Sequence, residues 1–425
     1  MITLIEAGNF RCLKYISQPL KKFQVLVGPN ASGKTTFLDV VGFMADVVKN
    51  GIDFAITSRV SHFDELTFAN SGGNIELAIE TALPEEILNK LPEPDFKTLR
   101  YEMKIGIVPD TGEYSIIEER VLFLKGNAKK TKQQEQLTIF PSAEQEPSSL
   151  LFNKQKYETT SCKNVITKIA GGNDNFYPET YEKGNRGFMP SFKLGIKKSA
   201  LGNLPADETK FPAATWLKEF LTEGVQFFVL DSLKIRKSSA PGLGKKFRTD
   251  GSNLPWMIEE LKKNPKKFDR WIKHVQTALS DIENIVTVSK EEDKHRYLKI
   301  KYKNIQREVP SWLISDGTLR FLALTLPAYL SNFTGLYLIE EPENGIHPKV
   351  IESVFQSLSS VYDAQILLAS HSPVILSMVN PADVLCFSKT EDGITDIVRG
   401  NEHPKLKNWK GETDFSVLFA SGVLG

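Results

Sequence analysis

Residues 28–36 read GPNASGKTT and complete the pattern G-x-x-x-x-G-K-[ST], a loop whose backbone N–H groups cradle a polyphosphate. Gly28 and Gly33 keep side chains out of the way of that approach. Lys34 supplies a point charge for β- and γ-phosphates, and the Thr35 hydroxyl suits a magnesium ion. Asn30, Ser32 and Thr36 complete the candidate binding set. The plainer alternative is a glycine turn between strand and helix. The flanks argue against it, because an apolar strand, FQVLV, runs into the loop and an apolar helix, FLDVVGFMADVV, leaves it. A helix starting there aims its positive end at the phosphates.

A second group lies near the other end. Residues 336–348, LYLIEEPENGIHP, read as a buried strand with two carboxylates at its tip. In an open parallel sheet, ligands gather at that edge. Glu340 is assigned to magnesium and Glu341 to orienting or deprotonating an attacking water. The alternative is a charged loop closing a core strand. Residues 366–373, ILLASHSP, form another buried strand ending in His371. Its neutral imidazole suits contact with a γ-phosphate or the attacking water, against the simpler role of a histidine capping a strand end. Ser370 and Ser372 read as turn formers, since no Asp–His–Ser arrangement is visible. Residues 315–330, SDGTLRFLALTLPAYL, open with a helix cap at Ser315 or Asp316, then Gly317 and an apolar helix that Pro327 should kink. A well-capped core helix is the bland reading. Gly317 would also let a phosphate approach the helix N-terminus.

The elements that must hold these groups alternate as helix and strand at both ends of the chain, the rhythm of parallel α/β structure. The middle differs. Residues 74–83 read as a strand, residues 99–126 as a hairpin turning at Asp110, Thr111 and Gly112, and residues 127–149 as a polar, turn-rich loop. Helices are expected near 214–221 and after Pro255 and Pro265, a strand at 227–231, and a strand pair at 282–290 and 297–303. Composition fits a globular chain of two or three packed units, at 425 residues, 41% hydrophobic and 25% charged. A net charge of +1 gives no global attraction to nucleic acid or membrane. Cys12, Cys162 and Cys386 are scattered, without disulfide or metal-ligand spacing, as in a reducing cytosol. No leader peptide and no apolar run of membrane-spanning length is seen, so the expected location is the cytoplasm.

Taken in order, four of these segments resemble the ABC-type ATPase heads of the RecF, SMC and overcoming-lysogenisation-defect group, which includes predicted AAA-type ATPases. GPNASGKT resembles Walker A, SDGT the signature motif, LYLIEE Walker B, and SHS the switch histidine. GIHP at 345–348 resembles the D-loop, and the opening GNFRCLK carries the group's Asn9-Phe10-Arg11 triplet. The resemblance implies an α/β fold, an ABC-ATPase-like head of the P-loop NTPase type formed by both termini, with a mixed α+β insertion between them. On that basis the chain divides into an N-terminal ATPase lobe (1–85), an antiparallel β-rich insertion (86–230), a helix-and-strand insertion (231–312) and a C-terminal ATPase lobe (313–425). It implies ATP and Mg2+ as cofactors, Glu341, His371 and Lys34 as catalytic, and Arg11 close to the phosphates, against the alternative of a surface charge at a strand edge. It also implies that Ser315 and Gly317 of one subunit meet the Walker A of another, so that ATP holds a homodimer or a higher oligomer together and hydrolysis releases it. Two departures stand out. Glu340 occupies a position where the group more often has aspartate, and residues 59–73, where a Q-loop glutamine belongs, contain none.

The sequence carries no long heptad run of the kind that forms SMC arms, and no Toprim nuclease domain is expected in the stretch that follows His371. The expected role is therefore an ATPase that dimerises on ATP and regulates a separately encoded effector, a nuclease or Toprim-like protein, in defence against phage or other foreign DNA. The alternatives are a RecF-like DNA-repair ATPase and a scaffold assembled by ATP with little turnover. DNA contact would fall to lysine clusters at Lys129, Lys130 and Lys132, Lys197 and Lys198, Lys245, Lys246 and Arg248, and Lys262, Lys263, Lys266 and Lys267. The last cluster sits beside Glu259 and Glu260 and reads as a solvated face. The apolar stretch 415–425 suggests docking onto the chain's own core or a partner.

Overall fold

A computed structural model describes residues 1–108, 111–125, 147, 149–151, 161–181, 189–244, 246–390 and 392–402. Asp110, most of the 127–149 loop, the cluster at Lys129–Lys132, Lys245 and the 415–425 stretch lie outside them. The chain forms two compact units. One comprises Met1–Lys21, Ala31–Val225 and Ser388–Ile397; the other comprises Lys22–Asn30, Gln226–Phe387 and the chain from Val398. The backbone passes from the second to the first between Asn30 and Ala31, inside the glycine-rich loop.

In chain order, strands β1 (Ile2–Phe10), β2 (Leu13–Pro19) and β3 (Phe23–Val27) precede helices α1 (Lys34–Asn50) and α2 (Ile52–Thr57). Strand β4 (Ile75–Ala82), helix α3 (Glu85–Leu88) and strands β5 (Phe96–Ile107), β6 (Tyr114–Lys125), β7 (Cys162–Ile169), β8 (Asp174–Phe176) and β9 (Ser191–Phe192) follow. Then come α4 (Pro212–Glu219), β10 (Val225–Phe228), α5 (Ser232–Arg236), α6 (Leu254–Lys262), α7 (Pro265–Ala278), β11 (Ile282–Ser289), β12 (Arg296–Tyr302) and β13 (Val309–Pro310). The last elements are α8 (Asp316–Thr325), β14 (Gly335–Glu340), α9 (Pro348–Ser359), β15 (Ala364–Ala369), α10 (Pro373–Met378), β16 (Val384–Lys389) and β17 (Thr395–Arg399).

The first unit is built on an eight-stranded sheet of order β2-β1-β4-β5-β6-β7-β8-β9, antiparallel throughout. Strand β5 alternates apolar and polar residues, and the structure covers both of its faces at the centre of the strand. Its odd positions Leu99, Tyr101, Met103 and Ile105 are buried, with the Tyr101 hydroxyl donating to the buried Glu119 carboxylate at 2.9 Å, and its even positions Arg100 and Glu102 are fully buried too. Arg100 pairs with Glu6 at 2.6 Å, Glu102 at 2.8 Å and Glu80 at 3.0 Å, and donates to the Leu150 carbonyl at 3.0 Å. Charge pairing replaces water on that face, the condition for burying a charge. Helix α1 is buried on nearly every side, and its Phe43 ring meets Phe10 of β1 at 5.6 Å.

The second unit centres on parallel strands. The sheet runs β10-β14-β15-β3-β16-β17, and β14, β15, β3 and β16 pair in parallel. β3 comes from the start of the chain and its neighbours from the end, so both ends of the sequence build one P-loop-type α/β head. Strands buried on both faces read as continuous apolar runs, which is why 336–339 and 366–369 carry no alternation. Proline opens α7, α9 and α10 at the first helical position, where the missing N–H costs nothing. Pro327 does more than kink its helix. α8 stops at Thr325 and the next turn, Leu326–Tyr329, is a 3-10 turn with that proline at its start. A separate small sheet, β11-β12-β13, carries the expected strand pair. Among the described residues, no helix is long and apolar enough to cross a membrane.

Candidate functional site

The parallel sheet of the second unit brings three predicted segments to one edge. Glu340 of β14 stands opposite Ala369 of β15, and Ala369 stands opposite Leu26 of β3. The ladder continues one step further, with the Glu341 N–H donating to the Ala369 carbonyl at 2.8 Å and the Ser370 N–H to the Leu26 carbonyl at 3.0 Å. Glu340 and Glu341, then Ser370 and His371, and then Gly28 thus leave the sheet side by side, at the carboxyl ends where open α/β sheets hold ligands.

Glu341 takes a left-handed backbone, φ 45°, which a β-substituted residue adopts at a cost and keeps only where its surroundings hold it. Its carboxylate lies 3.7 Å from His371 Nε2, and Asn344 Nδ2 donates to its other oxygen. Glu343 braces the histidine from behind. Its Oε1 accepts from Ser370 Oγ at 2.7 Å and from the His371 N–H at 2.9 Å, and Ser370 Oγ in turn accepts from the Ser372 N–H at 3.0 Å. Sequence reasoning passed over Glu343. The signal was the third carboxylate in EEPEN, two residues past Glu341.

The signature segment sits in the same unit. Ser315 caps α8, accepting from the Thr318 N–H at 3.3 Å, and is exposed. Gly317 has an intramolecular reason to be glycine, since a Cβ there would fall 2.8 Å from the Gly345 carbonyl oxygen. Arg320 of the same helix reaches the Asn344 carbonyl at 3.4 Å, Ser232 Oγ at 3.1 Å and the Leu230 carbonyl at 3.5 Å. The signature helix is therefore tied to the loop following Glu341. Nothing in the sequence singled out Arg320. Asp316 does not cap α8; Arg236 pairs with it at 2.6 Å.

The rest of the loop opens α1 in the first unit. Gly33 takes φ 105°, and a Cβ on it would lie 2.5 Å from Thr395 Oγ1 and 3.1 Å from Cys12 Sγ, so glycine is required twice over. Helix α1 has no side-chain cap and no acidic residue in its first turn, which leaves its positive end available to an anion. Lys34 and Ser32 are buried, and the Ser32 hydroxyl has no hydrogen-bond partner among the described groups. Arg11 lies at a turn with φ 51°, and its guanidinium pairs with Asp39 of α1 at 3.3 Å. Arg59 grips the same carboxylate at 2.7 Å and Asp46 at 2.8 Å. Arg11 thus spends its charge on the helix that follows the loop. The 59–73 segment, expected to hold a Q-loop, forms two short 3-10 turns. Of the described lysine clusters, Lys197 pairs with Asp53 and Lys263 with Glu260.

A strand–glycine loop–helix unit feeding the central strand of a parallel sheet, with an acidic strand tip beside it, defines a P-loop nucleotide-binding protein. A family model described as "AAA domain, putative AbiEii toxin, Type IV TA system" matches residues 23–91 and 186–377, and the chain belongs to this AAA family. The matched residues run from β3 through His371, and the gap falls on β5 to β8. No curated protein matches the chain. Among solved structures, the Smc head bound to the C-terminal winged-helix domain of ScpA is 14% identical over 93% of this chain and 97% of that one, with a TM-score of 0.48. The Smc head with an extended coiled coil bound to the C-terminal domain of ScpA, from Pyrococcus furiosus, is 13% identical over 93% and 95%, with a TM-score of 0.47. The SMC head domain of Thermotoga maritima is 9% identical over 94% and 98%, with a TM-score of 0.44.

Proposed function

We propose that the chain binds and hydrolyses Mg·ATP, closes into a homodimer around it, and through that closure controls a separately encoded effector in defence against foreign DNA. The observation that carries the proposal is the row of Gly28, Glu340–Glu341 and Ser370–His371 on one edge of a parallel sheet. The uncapped start of α1, free of acidic residues, and the unpartnered buried hydroxyl of Ser32 suit a phosphate chain. Gly28, Asn30, Gly33, Lys34 and Thr36 are the remaining proposed phosphate contacts. Magnesium, when bound, would neutralise phosphate charge, and Thr35 and Glu340 offer the hard oxygen donors it prefers. Glu341, held beside His371, is the proposed base or orienter of the attacking water.

Dimer closure is supported by the surroundings of Ser315. Leu313 and Leu233 are 70% and 72% exposed, and Trp312 is 49% exposed, on the turn before α8 and on the helix α5 that packs against it. Apolar side chains left this open mark an interaction surface. The family's description as a toxin of a type IV toxin–antitoxin system supports a setting in which the switch restrains or releases damage. The test is light scattering of Glu341→Gln with Mg·ATP. A stable dimer that Lys34→Ala abolishes is the expected result. A monomer that binds ATP tightly would remove the switch, and absence of ATP binding by the wild type would remove the reading altogether.

A further inference from the structure

Thr395 opens strand β17, far from the glycine-rich loop in sequence, and it is 3% exposed. Its hydroxyl donates to the Ser32 carbonyl at 3.0 Å, and its N–H donates to the Cys12 carbonyl at 3.2 Å. Its Oγ1 and methyl occupy the space where a Gly33 side chain would stand. The contact therefore clamps both sides of the Ser32–Gly33 peptide. In a trans peptide the carbonyl and the next N–H point in opposite directions. Holding the Ser32 carbonyl toward Thr395 turns the Gly33 N–H the other way, away from Thr395, so that it is free to join the N–H groups that meet a polyphosphate. Left alone, a loop with Ala31 at φ 61° and Gly33 at φ 105° has other conformations open to it, because glycine restricts its own backbone least.

We propose that Thr395 is a positioning residue for the phosphate loop, keeping it in the conformation that receives nucleotide, so that β17 sets ATP affinity from outside the binding motif. The inference rests on the nucleotide reading above and adds to it a residue that no phosphate-loop pattern contains. Thr395→Val keeps the shape and removes the donor; Thr395→Ser keeps the donor. Titration with a fluorescent ATP analogue in Mg2+ is expected to show about tenfold weaker binding for Thr395→Val, the cost of one hydrogen bond and a buried carbonyl left unpaired, with Thr395→Ser within about threefold of wild type. In turnover, KM should rise while kcat holds, a split that general loss of stability would not give. In the wild type, where folding is not at issue, the peptide spanning 390–399 should gain protection from deuterium exchange when the analogue binds. Wild-type affinity in Thr395→Val, or unchanged exchange in that peptide on binding, would overturn the role of Thr395 alone. No binding by the wild type, with Lys34→Ala indistinguishable from it, would overturn the nucleotide reading and this inference with it.

Discussion

Glu343 offers a way to separate holding the histidine from holding the nucleotide. Its Oε1 receives two donors, Ser370 Oγ at 2.7 Å and the His371 N–H at 2.9 Å, and these fix the turn from which His371 faces Glu341. Glu343→Gln preserves length and one carbonyl oxygen and removes the charge. A hydrogen bond to a charged acceptor contributes about 1.5–3 kcal/mol and a neutral one about 0.5–1.5 kcal/mol, so each of the two weakens by about 1 kcal/mol. A loss of about 2 kcal/mol in holding the turn, felt in the transition state, is about a 30-fold fall in kcat. The phosphate contacts proposed for residues 28–36 are untouched, so the dissociation constant for ATP should stay within about twofold. Phosphate release under saturating ATP, with binding titrated in parallel, measures both. Glu343→Ala should fall further, because the His371 N–H then has no acceptor. An unchanged kcat in a folded Glu343→Gln protein would show that the turn is held by other contacts. Equal losses in kcat and binding would show that the residue supports the whole sheet edge rather than the histidine.

Three further outcomes follow from particular contacts. Glu179 is buried beneath α4, with the Ala213 and Ala214 N–H groups at 2.6 and 2.8 Å, and burial outweighs them to push its carboxyl up to about 7 from an ordinary 4.5. A raised carboxyl binds its proton more readily in the folded state, so its contribution is complete below about pH 4.5 and is lost as pH rises through 7, a swing of about 3 kcal/mol. Urea unfolding at pH 5 and pH 8 should show that slope, and Glu179→Gln should flatten it. Arg100→Met leaves Glu6 and Glu102 buried without their cation and should destabilise the first unit by about 3–5 kcal/mol, read as a lowered urea midpoint; a midpoint within error of wild type would mean that the carboxylates are neutral. Leu313→Glu, at a 70% exposed position, should abolish ATP-dependent dimerisation while leaving the thermal midpoint within error, with ATP binding weakened only by the part that closure contributes; dimerisation at wild-type strength would place the interface elsewhere.

The two ends of the chain were legible because their chemistry is local. A phosphate loop is nine consecutive residues whose backbone does the binding, and a buried parallel strand is a short apolar run, so GPNASGKTT, LYLIEE and ILLAS declare themselves without knowledge of the fold. The sheet register then supplies what no single segment states, that Glu340, Ala369 and Leu26 share one row. What stayed hidden is long-range and polar. Arg100 and Glu102 alternate with apolar residues in β5 as a solvated face would, and only the buried pairing of Arg100 with Glu102 and Glu6 shows that the face is dry there. Thr395 lies in a stretch of ordinary turn and strand composition, and its meaning comes from a carbonyl more than three hundred residues earlier. Gly317 has a further reason to be glycine that its sequence neighbours do not state, since a Cβ there would fall 2.8 Å from the Gly345 carbonyl oxygen. These cases share a cause. Motifs record the atoms that touch a ligand, while the groups that hold those atoms still are chosen by packing, and many side chains can serve where one hydrogen bond must be supplied. A pattern search therefore finds Lys34 and Glu341 but passes over Thr395 and Glu343, although each fixes the backbone beside a proposed site residue. Where a helper's only requirement is a donor or a carboxylate at one point in space, its sequence position carries no signature of its own, and the contact itself is the evidence.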